Sequence, residues 1–136
     1  MVEKTFAIIK PDVVKAKNSG KVIDLIEQNG FTIIGMKKLH MTKEKAEQFY
    51  DVHKEKPFFQ ELVDFISSGP VIVMALEKEN AIADWRKLMG ATNPEQAEEG
   101  TIRKLYGTNI GVNAVHGSDA PETAKIELGL FFPDLG

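Results

Sequence analysis

The order of apolar and polar positions divides the chain into short segments of two kinds. Residues 5–9 (TFAII) are a β-rich apolar run closed by Lys10, Pro11 and Asp12, the pattern of a buried strand that ends in a turn. Lys10 therefore stands at the strand's end. Over residues 20–29 Val22, Ile23 and Ile26 fall on one helical face, with Asn18 or Ser19 as N-cap and Gly30 as the stop. Residues 31–39 read as a second strand. Thr42 is an N-cap for a helix over 43–53, in which Ala46, Phe49, Tyr50 and His53 share a face. After Pro57, a helix over 58–68 turns Phe59, Leu62, Val63 and Ile66 inward and leaves Phe58 off the stripe and partly exposed.

Residues 70–76 (PVIVMAL) give the clearest buried strand, followed by a helix over 80–89 with Ile82, Trp85 and Leu88 or Met89 inward and Arg86 off the stripe. Periodicity then fails from 90 to 112, where Thr92, Asn93, Pro94, Gly100, Gly107 and Gly111 break every run, although glutamates at 95, 98 and 99 allow a short turn. Compact domains rarely keep loops of that length unless they bind something or are disordered, so the segment points mildly to a ligand. Ala114 and Val115 lead as a strand into His116, and Asp119 with Glu122 has capping-box spacing for a closing helix with Pro121 in its first turn. Beyond Leu130 the pattern is irregular. This order suits an α/β (α+β) sandwich with a ferredoxin-like core, helices covering one face of a mostly antiparallel four-stranded sheet.

A chain of 136 residues that is 43% apolar encloses one core, so residues 1–136 are read as a single domain. The start, MVEKTFAIIKPD, carries no signal-like run, and no stretch has the apolar length of a membrane span, which leads to the expectation of a soluble, cytoplasmic protein. The absence of cysteine removes disulfides, thiolate metal sites and cysteine nucleophiles. A net charge of -3 argues against a surface built for nucleic acid, so an anionic ligand must be held locally. Of 17 basic side chains only Arg86 and Arg103 are arginines. The planar guanidinium suits bidentate contact with phosphate or carboxylate, and the ordinary alternative is a pair of structural ion pairs.

Among the histidines, His40 has no acidic partner at metal-ligand spacing and belongs on the surface, while His53 ends an amphipathic helix, where a cation favours the macrodipole. His116 ends a strand beside Gly117, with Ser118 and Asp119 following and Glu127 one helix later. A carboxylate that accepts from one ring nitrogen leaves the other free as nucleophile or base. The competing readings are a core histidine bonded to a backbone carbonyl, a metal ligand, and a Ser118-based triad. The chain has no GxSxG elbow, no GxxxxGK[ST] loop and no GxGxxG fingerprint, so a bound nucleotide would be held by side chains.

NAVHGSD at 113–119 resembles the NxxHGSD signature of the nucleoside diphosphate kinases. The similarity extends over nearly the whole chain, through TFAIIKPD at 5–12, FYDVHKEKPFF at 49–59, SGPVIVMALE at 68–77 and GATNPEQAEEGTIR at 90–103. The resemblance implies a multimeric, ping-pong phosphotransferase that moves the γ-phosphoryl group of a nucleoside triphosphate, mainly ATP, to a nucleoside diphosphate. It implies His116 as nucleophile, Glu127 as the group that orients it and Ser118 as support for that carboxylate. It implies Lys10 and Asn113 at the phosphate and ribose hydroxyl, and Arg86, Thr92 and Arg103 as phosphate ligands. Tyr50 and His53 border that path. Phe58 is similar to the aromatic that stacks on the base, with Leu62 and Val112 beside it, and stacking accepts every base because each has a π-face.

Magnesium, in this family, bridges phosphate oxygens, so no dedicated protein metal ligands are expected. The implied partners are nucleoside di- and triphosphates and other copies of the chain, as hexamer or tetramer, with neither membrane nor obligatory nucleic acid. Lys104, Leu105 and Tyr106 depart from the family's small residue, aspartate and aromatic, and Val112 replaces a frequent arginine. A ferredoxin-like nucleic-acid module and a phosphohistidine carrier that serves a protein acceptor are the rival classes. Salt-dependent single-strand binding would mark the first. Discharge by a partner protein and not by free diphosphates would mark the second.

Overall fold

The computed structural model describes residues 2–110 and 112–135; Gly111, one of the breakers read in the long loop, lies outside them. Two strands, β1 (Val2–Ile9) and β3 (Val71–Glu79), pair antiparallel at the centre of a sheet. With β2 (Thr32–Leu39) and β4 (Val115–Gly117) at the edges, the strand order is β2-β3-β1-β4.

Alternation along the central strands feeds two cores. Phe6 and Ile8 of β1 and Val73 and Ala75 of β3 point to one side, while Ala7, Ile9, Ile72, Met74 and Leu76 point to the other. The second side is covered by α1 (Pro11–Lys15), α2 (Ser19–Gln28), α5 (Ala81–Met89) and α6 (Ile102–Tyr106), through Val13, Val22, Ile26, Trp85 and Ile102. The first is covered by α3 (Lys43–Phe49), α4 (Phe59–Ile66) and α7 (Pro121–Phe131), through Ala46, Phe49, Val63, Ile66, Leu128 and Phe131. Helices thus lie on both faces, which corrects the one-face expectation. The physical reason was present in the unbroken runs of 5–9 and 70–76, since a strand that faces water on one side alternates apolar with polar. The order β1, α2, β2, β3, α5, β4 is the ferredoxin-like one, with the α3–α4 pair set between β2 and β3.

Local chemistry moves several boundaries. The helix read over 43–53 ends at Phe49 and gives way to a 3₁₀ turn at Asp51–His53, although Thr42 caps it as expected by accepting from the Lys45 amide at 3.1 Å. The long loop holds a 3₁₀ turn, Pro94–Gln96, and the helix α6, whose N-cap Thr101 accepts from the Lys104 amide. A five-residue helix is too short to leave a periodic signal. The N-cap of α7 is Ala120 with no side-chain cap, so the Asp119–Glu122 capping box does not form, while Pro121 takes the first turn. The other end of α7 is held by two lysines. Lys37 of β2 donates to the Phe131 carbonyl at 2.8 Å and Lys45 of α3 to the Leu130 carbonyl at 2.9 Å, which places positive charge at the negative end of the helix.

Candidate active site

Four chain segments meet at the C-terminal end of β1 and fix His116. Register pairs Ile8 with His116, and the approach to β4 is a tight turn in which Ala114 has φ 76° and the Val115 amide donates to the Asn113 carbonyl at 2.9 Å. A left-handed alanine is strained, and such strain persists only where neighbours hold it. Here Asp12 accepts from the Ala114 amide at 3.1 Å and the Lys10 amide donates to the Ala114 carbonyl at 2.8 Å. Trp85 of α5 donates to the His116 carbonyl at 3.3 Å, and Phe49 meets the imidazole edge-on with centroids 4.9 Å apart.

The imidazole is oriented by a carboxylate. His116 Nε2 lies 3.2 Å from Glu127 Oε1, and Ser118 Oγ donates to the same oxygen at 2.7 Å. An ionised carboxylate only accepts, so in the neutral ring Nε2 carries the proton and Nδ1 keeps its lone pair. Glu127 and Ser118 are buried, whereas the His116 side chain is 23% exposed. Burial, and then the charge of Glu127, push the ionisation of nearby Tyr50 up and keep its phenol neutral.

Cations gather beside this histidine without carboxylate partners. Buried Lys10 donates to Asn113 Oδ1 at 2.8 Å, and Asn113 in turn donates to the Thr92 carbonyl at 3.2 Å. Arg103 is buried on α6 and donates to the carbonyls of Gly90 at 3.1 Å and Val115 at 2.9 Å, with its Nε unpartnered. Among the described residues neither arginine pairs with an acidic side chain, so the ion-pair alternative fails. Burial, and then Arg86, lower the pKa of Arg103 to about 10. Lys10 falls to about 8, through burial first and Arg103 second, with Asp12 opposing.

These shifts make the ligand-free fold pH-sensitive. Above pH 8 folded Lys10 has released the proton that the unfolded chain holds up to its ordinary 10.5, so stability rises with pH in that window. Carrying the charge at lower pH costs about 3 kcal/mol, an expense that a bound phosphate offsets. Near 10 Tyr50 begins to ionise in the unfolded chain but not in the fold, an effect of opposite sign that the lowered Arg103 counters, so the Lys10 effect stands alone only below that pH. We expect the urea midpoint of the ligand-free protein to climb between about pH 8 and 9.5, and the climb to vanish in Lys10→Met. An equal climb in the variant would trace the effect to another group.

A cleft of about 860 Å³ opens over the imidazole. Lys10, Thr92, Arg103, Asn113 and His116 form its polar end, and Phe58, Leu62 and Val112 line its mouth, with Tyr50 and His53 between. Phe58 is 42% exposed and its ring lies 5.9 Å from that of His53, whose Nδ1 is buried without a partner. Arg86 is the exception: it is exposed and lines an adjoining cavity of about 510 Å³ that shares Thr92 and Arg103 with the cleft. Sequence reasoning missed Val52 and Ile110, both exposed at the mouth, and the supports Asp12 and Trp85. Asp12 stood in the IKPD block with no role, and Trp85 read only as core.

A ferredoxin-like fold whose cleft joins a cationic end to an aromatic mouth defines an α+β enzyme for phosphorylated substrates that carry a flat ring. The family model for "Nucleoside diphosphate kinase" matches residues 3–135. The chain is 63% identical over 134 residues to a nucleoside diphosphate kinase of Pelobacter propionicus, covering 98% of each sequence. It superposes on the nucleoside diphosphate kinase of Aquifex aeolicus with a TM-score of 0.97 at 46% identity, over 99% of this chain and 98% of that one. A halophilic nucleoside diphosphate kinase from Halobacterium salinarum in complex with CDP gives a TM-score of 0.92 at 40% identity, over 97% and 88%. The chain belongs to the nucleoside diphosphate kinase family, and its reaction is phosphoryl transfer between nucleotides.

Proposed function

We propose that the phosphoryl group passes through His116. The reading is carried by one observation: an imidazole oriented through Nε2 by Glu127 at the floor of a cleft whose other walls are Lys10, Arg103 and Asn113. Nδ1 attacks the γ-phosphorus of a nucleoside triphosphate, mainly ATP, in line with the bridging oxygen; the P–N bond forms as that P–O bond breaks, and the diphosphate leaves with the electron pair. A terminal oxygen of a second diphosphate then attacks the same phosphorus and releases the histidine, which replenishes NTP and dNTP pools. Such transfer depends on positioning and on positive charge at the transferring oxygens.

Lys10 and Arg103 supply that charge from pre-set positions, and Thr92 adds a hydroxyl. Arg86 reaches the phosphates from the adjoining cavity, past Arg103. Asn113 with Lys10 receives the ribose hydroxyl, Tyr50 walls the phosphate path, and Phe58 stacks on the base. Glu127 balances the imidazolium character that develops when Nδ1 is phosphorylated, and Ser118 holds the carboxylate in place. Among the described residues no three His, Cys, Asp or Glu side chains form a metal-holding group, and the cleft's polar end presents Lys10 and Arg103, so Mg²⁺ would be held through the nucleotide phosphates. When bound there, the ion neutralises phosphate oxygens.

Residues 1–136 are read as one domain that assembles with its own copies, as hexamer or tetramer, in the cytoplasm. Exposed Met36 on edge strand β2 and exposed Leu105 support assembly, and among the described residues no helix is long and apolar enough to cross a membrane. The test of mechanism is to mix the protein with magnesium and γ-labelled ATP and no acceptor. We expect an acid-labile, base-stable phosphoenzyme that several nucleoside diphosphates discharge. A folded, active protein that never takes up label would overturn the covalent route.

A further inference from the structure

Glu61 is a cleft residue that the reaction above leaves unused. It stands on α4 three positions after Phe58, and with Phe58, Leu62 and Phe65 it lines one wall of the cleft. Spacings of three, four and seven put these side chains on one helical flank, so the Glu61 carboxylate lies within reach of the rim of a ring stacked on Phe58. Val52 and Ile110 also line the cleft, Asn109 is a further polar group in its lining, and the Lys56 ammonium stands 5.7 Å from the centre of the Phe58 ring. The other carboxylate in the cleft, Glu127, is already engaged by His116 and Ser118. Glu61 has no hydrogen bond or ion pair with any described residue.

We propose that Glu61 reads the base, favouring nucleotides whose ring carries an exocyclic amino group over those with a carbonyl at the same place. Stacking on Phe58 is indifferent to base identity, so discrimination has to come from a polar group at the ring edge. An ionised carboxylate accepts and never donates. It gains a hydrogen bond from a ring amine and repels the lone pairs of a carbonyl. The mouth is open to water, which limits the effect to about three- to tenfold. The inference rests on Phe58 as the stacking platform, but not on the covalent route through His116.

CDP and UDP are the informative pair, because cytosine has an amine where uracil has a carbonyl. Equilibrium affinities for both, measured by calorimetry in the presence of magnesium, give a ratio that needs no turnover. For the unmodified chain we expect CDP to bind about three- to tenfold more tightly than UDP. Glu61→Gln, whose amide turns to suit either base, brings the ratio close to unity, and Glu61→Lys, a donor only, inverts it. Equal affinities in the unmodified chain, or a ratio that survives in both variants, overturn the proposal. A normal ratio in a protein that takes up no phosphate would count against His116 while supporting the reading of the base.

Discussion

His116→Ala is expected to abolish phosphoenzyme formation and to lower turnover by at least about 10⁴-fold, because it removes the nucleophile of the proposed covalent step, the imidazole that Glu127 orients. The fold should survive. Ser118 still donates to Glu127 at 2.7 Å, and β4 keeps its pairing with β1, so the variant loses the edge contacts with Phe49 and Phe6 and the bond to Glu127. Circular dichroism and a urea midpoint close to that of the unmodified protein would establish that the loss is chemical. Label incorporated into this variant at the normal rate would remove His116 from the mechanism.

Gly117→Ala should produce the largest loss of stability among single-methyl changes at the site. A Cβ at Gly117 would run into the Trp85 ring and the terminal methyl of Met89. Trp85 has nowhere to go: it is fully buried, it meets Phe31 edge-on at 5.9 Å, and its indole holds the His116 carbonyl. Overpacking of this kind costs about 3 kcal/mol. Movement of the ring would also release the strand that carries the histidine, so activity falls with stability. Trp85 is the single tryptophan of the chain, so its fluorescence follows the change directly. Trp85→Phe combined with Gly117→Ala should recover part of the loss, and purely additive effects of the two changes would refute the steric explanation.

The glycine of the HGSD signature thus has a reason that the sequence alone does not reveal, and the same holds for much of the site. Strands β1 and β3 were legible because an unbroken apolar run has few other homes, and Phe58 because it falls off its helix's stripe. Lys10 was legible because a lysine that closes such a run is carried to the sheet's end. The signature around 113–119 pointed to His116, and from there to Glu127, which helix α7 brings back to the imidazole. What stayed hidden depends on distant partners or on conformations that leave no local mark. Asp12 reaches Ala114 across 102 positions, and an alanine gives no sign that its φ will be positive. Arg86 read correctly as off the inward stripe, but periodicity could not tell which of two adjoining cavities it would face.

The strand that bears the histidine is only three residues long and pairs with a single neighbour, which by itself would make it the first part of the sheet to fray. It is kept in place by side chains from elsewhere: Asp12 next to α1's start, Trp85 in α5 and Arg103 in α6, each bonded to its backbone or to the turn before it. Those three elements belong to the core on one face of the sheet. The site has therefore been denied a melting transition of its own, and catalytic competence and global folding are lost as one cooperative event.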